Sequence, residues 1–388
     1  MDESRAEVYS NLSRVLMRLS ESVASVAAAD VALQLAERLR LDRVVAETLN
    51  NKGSSLGQTG RRREAMALLR GAVEVARAGG HVAAEIRALA NMASGIEDNV
   101  ESEQVNRQAF DLAMRVGNVN LARWSRESIR FAAFLRAESW DEPMAETWAD
   151  VDALFGGGAS LSDEARWINT SVTIRIHRGQ PTTELLARLD EIAAEVSDPI
   201  VTSEVLSHQA SLALVAGDYA AAARLELAAA DQGSQVTFIY LSFAIRALLL
   251  AGDLEGAKAT EVRHTKESQG NRIDQALGVG SEAGIAALEG RVEDAVAGYR
   301  AALERLDAIH MGWLTALLGF EFVALVGDHP AAREAAARSR EIFERVGARP
   351  WLDKLDAVLA SVSAAPARPA APRATAGTEP RRIEVPWA

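Results

Sequence analysis

The chain contains no cysteine. That excludes disulfides, thiolate chemistry and any zinc site built on sulfur, and it leaves the redox compartment open. Proline is scarce through residue 362, where Pro143, Pro181, Pro199, Pro330 and Pro350 are the only ones. Each precedes or opens an apolar-periodic run, where a missing N–H costs a helix little. Aromatic residues make up 5%, so alanine rather than ring stacking must fill the interior. Basic residues are outnumbered, with a net charge of −12, which argues against a nucleic-acid backbone as the main partner. Apolar runs are short. The longest, residues 237–250, is broken by Arg246 and too short to span a bilayer. The first residues are acidic and lack the basic and apolar regions of a signal peptide, so a cytoplasmic protein with no membrane partner is expected.

What the chain does have is a repeat. Gly60, Gly217, Gly252, Gly290 and Gly327 are each followed five residues later by alanine, at Ala65, Ala222, Ala257, Ala295 and Ala332. The last four glycines are 35, 38 and 37 residues apart, and a fixed period of this size signals a solenoid. After Gly60, the residues Ala65, Leu68, Leu69, Ala72, Val73 and Ala76 form one apolar helix face, which Gly79 and Gly80 stop. Residues 43–56 read as the antiparallel partner of that helix.

Weaker positions carry the register onward. Asp98 stands where a glycine is expected, Glu138 occupies the turn before Trp140, and Gly179 opens another unit with Leu185, Leu186, Leu189 and Ile192 as its stripe. After Glu138, residues Met144, Trp148, Val151 and Leu154 share the following face. Turns are thus predicted near 60, 98, 138, 179, 217, 252, 290 and 327. A degenerate helix over residues 25–39 suggests a ninth pair, and a helix over 351–362 caps the C-terminal end.

These repeats resemble tetratricopeptide repeats. In that family a glycine ends the first helix of each unit, and alanine occupies two packing positions of the second. Here the second alanine is matched by Ala72, Ala229 and Ala302, whereas His264 and Ser339 depart from it. A small residue is favoured seven positions before the glycine; Gly53, Ala210 and Ala283 fit, Ile245 and Phe320 do not. The stretch Asn50, Asn51, Lys52, Gly53 is similar to a run common in the family, with Lys52 where a leucine would normally pack. The style is similar to the long repeat regions of actinobacterial regulators, which follow cyclase or ATPase domains. The resemblance covers almost all of residues 1–362 and implies an all-α fold, a right-handed superhelical solenoid of about eight to nine antiparallel helix pairs.

The expected organisation is an N-terminal half over residues 1–155, a Gly-rich joint over 156–162, a C-terminal half with a capping helix over 163–362, and a disordered Pro/Ala/Arg tail over 363–388. Gly156, Gly157 and Gly158 read as a loop between repeats or a hinge, with Ser160 or Ser162 capping the next helix. In the tail, Arg381 and Arg382 precede the alternating Ile383, Val385 and Trp387, a motif suited to docking in an acidic groove.

No catalytic constellation emerges, and no cofactor or metal is expected. None of the six histidines forms a tight ligand pair, with His81 and His310 read as helix-end groups, and the glycine run lacks the Gly-Lys-Ser/Thr ending of a phosphate loop. The resemblance implies a concave groove lined by the first helix of each pair. That places Asn50, Asn51, Ser54, Asn169, Thr173, Ser207, His208, Ser211 and Arg246 along the inside, where they would hold a protein or peptide ligand. Phe238, Tyr240 and Phe243 read as core. Trp124, Trp140, Trp148 and Trp167 read as space-filling or as an exposed aromatic patch. The leading expectation is a non-catalytic, regulatory protein-binding scaffold, with a homodimer admitted. The alternative is a ligand-responsive receptor, or the helical part of a cyclase- or ATPase-type regulator carried on another chain.

Overall fold

The structure is a computed structural model. It describes residues 2–364 except 20, 155, 197, 234, 235 and 269. The tail from 365 onward, including Arg381, Arg382 and Trp387, lies outside the described residues.

The described residues are helical and contain no strand. Antiparallel pairs follow one another: α1 (Asp2–Arg18) with α2 (Ser22–Leu39), α3 (Asp42–Gln58) with α4 (Arg62–Ala78), and α5 (Val82–Gly95) with α6 (Asn99–Arg115). The fourth unit is α7 (Val119–Arg136) with two short pieces, α8 (Asp141–Met144) and α9 (Trp148–Leu154). Next come α10 (Leu161–Arg178) with α11 (Thr183–Val196), α12 (Pro199–Ala216) with α13 (Tyr219–Ala230), and α14 (Thr237–Ala251) with α15 (Leu254–Glu267). The series ends with α16 (Arg272–Leu288) and α17 (Val292–Asp307), α18 (Gly312–Val326) and α19 (Pro330–Val346), and the single helix α20 (Arg349–Ala364).

All eight predicted turns fall between the two helices of a pair. Their chemistry explains the motif. Gly217 ends α12 in the left-handed conformation (φ 87°), which lets its N–H reach back into the last turn, and Asp218 then caps α13 by accepting from Ala221 N–H at 2.9 Å. Gly252 and Asp253 repeat the device. The alanine five residues on is buried in every copy, at Ala65, Ala222, Ala257, Ala295 and Ala332, because the second helix crosses the first there with no room for a longer side chain. The two departures are buried as well: His264 Nε2 faces Asp274 at 3.0 Å, and Ser339 bonds back to the Ala335 carbonyl.

One element departs from expectation. The face containing Met144, Trp148, Val151 and Leu154 belongs to two helices rather than one. Arg130 captures the Pro143 carbonyl through Nε (3.0 Å) and Nη2 (2.8 Å), taking an acceptor that a continuing helix would need. Thr147 and Asp150 then cap each other reciprocally and start α9 afresh.

The joint at 156–162 does not divide the interior. One buried cluster joins Ala72 to Val151 with Ala165 to Val205, and another joins Phe134 and Trp140 with Ile174, Trp313 and Trp351. The glycine run itself is tied down, since Arg123 Nη2 donates to Gly157 O at 2.7 Å and to Asp152 at 3.2 Å. Ser160, not Ser162, is the cap, in a reciprocal box with Asp163.

The chain also returns upon itself. The turns of the third to sixth units rest on the C-terminal helices in order. Asn99 N–H donates to Ile309 O at 3.1 Å, and Asp98 meets His310 Nδ1 at 2.8 Å. Arg136 O lies against Gly312, where a Cβ would collide with it, and Ala137 O accepts from Arg345 Nε at 3.0 Å. Arg178 Nε donates to Val346 O at 2.8 Å, and Lys354 lies over the Tyr219 ring beside Gly217. Behind this seam the scarce aromatics gather. Trp140 and Trp313 are 4.8 Å apart between ring centroids, His177 is 4.7 Å from Trp313, and Trp351 Nε1 donates to His177 Nδ1 at 3.1 Å. Burial holds His177 neutral, with its pKa down at about 3.

Candidate functional site

The nine residues predicted to line a groove do recur at one-repeat spacing, but several are turned toward the next helix rather than toward an open face. Asn51 Nδ2 donates to Ser10 O at 3.0 Å, and Asn50 Oδ1 accepts from Asn91 at 2.9 Å, so both asparagines are buried between α1, α3 and α5. Asn169 Nδ2 donates to Glu204 at 3.0 Å, linking α10 to α12. Thr173 and Ser54 are half-buried, and each bonds back to a carbonyl of its own helix, Asn169 O and Asn50 O. Ser207 donates to Glu226 at 3.0 Å. Ser211 is half-buried. His208 and Arg246 are buried.

For Asn50, Asn51, His208 and Arg246 the expectation of an open concave face is therefore corrected. Asn50, Asn51 and Arg246 each find a partner on a neighbouring helix, as the cost of an unpaired buried polar group demands, whereas His208 is buried with Nε2 unpartnered. The same spacing that suggested a ligand row is the spacing of a ladder between successive first helices. Ser171 with Arg130 (3.0 Å) and Thr48 with Ser10 (2.9 Å) are further rungs that the sequence reading did not single out. Arg246 takes part in a longer link. Its Nε meets Glu321 Oε2 at 2.9 Å, and Tyr299 O–H donates to Glu321 Oε1 at 2.9 Å, joining α14, α17 and α18. Beside this pair is a cavity of about 10 Å³, lined by Ser242, Ser281 and Arg246 among others, room for one water.

No protein-family model and no curated protein matches this chain.

One consecutive pair of first helices stands apart. Each other consecutive pair of first helices approaches closely, but α12 and α14 do not. Between them and α13 lie Ser203, Glu204, Ser207, His208, Glu226 and Tyr240. The Tyr240 hydroxyl is hydrogen-bonded to Ser203 and lies near both carboxyl groups. Burial pushes Glu226 up to about 8 and Glu204 up to about 7, although Arg166 beside Glu204 pulls the other way. The same burial pushes His208 down to about 4. Glu226 Oε2 and His208 Nε2 have no hydrogen-bond partner among the protein atoms. The arrangement holds protons on two acids near neutrality and keeps an imidazole neutral. The sequence signal was present for Ser207 and His208 but absent for Glu226, whose position on the second helix gave no reason to point inward.

The aromatic candidates divide. Trp140 and Trp167 are buried, as are Phe238 and Tyr240, while Phe243, Trp124 and Trp148 are half-buried. Trp124 stacks under the Arg166 guanidinium at 3.2 Å, so it is covered by a cation rather than left as an open patch. His81 stands at the N-cap position of α5, and His310 at the turn before α18. Among the described residues no group of three or more His, Asp and Glu is placed to hold a metal ion. No described helix is long and apolar enough to cross a membrane.

Proposed function

We propose that the chain is a non-catalytic, protein-binding scaffold of the tetratricopeptide type, a right-handed superhelix acting in regulation in the cytoplasm. The observation supporting this reading is the turn repeated eight times, each joining two antiparallel helices that pack on the next pair. Such a stack builds an extended rigid surface from small units, and binding is what that geometry serves. With the ladder residues engaged between helices, the groups left to a partner are the half-buried Ser54, Thr173, Ser207 and Ser211 of the first helices. Immobilised full-length chain is expected to retain a protein or peptide from its native host. Retention of nothing beyond a bead control would remove the reading.

The buried acid pair favours a second reading, a receptor that alters its packing when a small molecule or peptide binds. The place of change would be the gap between α12 and α14, which do not pack closely, rather than the tethered glycines at 156–158. Scattering profiles that stay identical with and without a low-molecular-weight host fraction would dismiss it.

A further inference from the structure

The outward face of α1 is apolar. Val8, Leu12 and Val15 on α1 and Leu19 in the turn directly after it are all exposed, spaced four, three and four residues apart, and Val23 at the start of α2 is 81% exposed beyond them. The inward face of the same helix is built from Ala6, Ser10 and Ser13; Ser10 accepts from Thr48 and Asn51, and Ser13 bonds to Ser25. So α1 spends small polar residues on its own fold and turns its branched aliphatics to the outside. The four-three-four spacing is that of a coiled-coil seam, which fits another helix carrying the same spacing.

We infer that α1 pairs with α1 of a second copy of this chain, antiparallel about a two-fold axis that passes between Leu12 and Val15. In that register Leu12 packs on the partner's Val15, and Val8 on the partner's Leu19. The five exposed side chains leave roughly 500 Å² per copy, so two copies would bury about 1,000 Å², near the lower bound of a specific interface. Charge supports the same register. Arg5 flanks the stripe at one end and the exposed Glu21 follows it at the other, so the two-fold axis sets each Arg5 beside the partner copy's Glu21. The isologous geometry makes both contacts twice, as closed two-fold dimers require.

The full chain is expected to sediment as a dimer that dissociates on dilution. Leu12→Asp with Val15→Asp should give a monomer of unchanged helix content, because both positions are exposed in the single chain. The chain lacks cysteine, so introduced thiols are unique: a mixture of L12C and V15C chains should cross-link faster than either alone. A full chain that stays monomeric at every concentration up to about 1 mM overturns the inference, since even a weak interface at the low end of the size range should be populated there. So does a dimer that survives the double aspartate variant. Truncation after Ser363 should leave the dimer intact; loss of the dimer on that truncation assigns the contact to the tail instead.

Discussion

Glu226 shows how much a single buried side chain can govern. Its carboxyl is held by Ser207 and pushed up to about 8, so the folded chain keeps a proton that the unfolded chain releases near the ordinary value of 4.5. The native state then binds more protons between these two values. Stability from this group is full below about pH 4.5 and is lost as pH rises through about 8. Glu204 acts in the same sense, with its own loss complete above about 7. Glu226→Gln removes the titration while keeping the shape. Urea unfolding should show the wild type losing stability between about pH 6 and about pH 9, and the variant ahead of it by about 2 kcal/mol at the upper end. Equal slopes for the two proteins would refute this account. At this scale the sequence was half legible. The one-repeat spacing of Asn50, Asn169 and Ser207 was visible, but the partner of each lies on another helix, one unit away for the two asparagines and within the unit for Ser207. A spacing cannot distinguish a group facing a ligand from one facing its neighbour.

Among the elements, the turns were the most legible, because a helix that must reverse within two residues needs a left-handed position and a cap. Gly-Asp at 217–218 and 252–253 supplies both directly. Asp98 departs from glycine for a reason visible only in the fold: its Oδ1 caps α6 by accepting from Val100 and Glu101, while its Oδ2 meets His310 across the seam. These hydrogen bonds and the neighbouring His310 hold its carboxyl below the usual range despite the opposing effect of burial. Asp98→Ala should cost about 1–2 kcal/mol in thermal or urea unfolding, the size of a lost cap. Asp98→Asn keeps the cap and should recover most of that loss. If the two variants are equally damaged, the contact with His310 rather than the cap carries the effect. The split of α8 from α9 was not legible, because it depends on Arg130 reaching the Pro143 carbonyl from thirteen residues away.

For the whole molecule, the decisive contacts join residues far apart along the chain. Trp140 and His177 keep the repeat spacing, as do Trp313 and Trp351, but nothing periodic announces that the two pairs meet in one cluster. The seam means that the two halves are held by more than the segment linking them. A protease site inserted at Gly157, once cleaved, should leave fragments that co-elute and retain their helix content, since buried clusters run across the cut. Fragments that separate on a sizing column would show that the linker, not the seam, holds them. The same contacts should make unfolding a single transition instead of the unit-by-unit melting of an open repeat array.

The return of the chain also sets an order in time. Asp98 and His310 are 212 residues apart, so a ribosome adding about 5–20 residues per second emits the second of them some tens of seconds after the first. During that interval the emerging N-terminal units hold out Phe134, Trp140 and the carbonyls of Arg136 and Ala137 with nothing to cover them. The nascent half thus carries an apolar surface that the C-terminal helices cover only once they have been made.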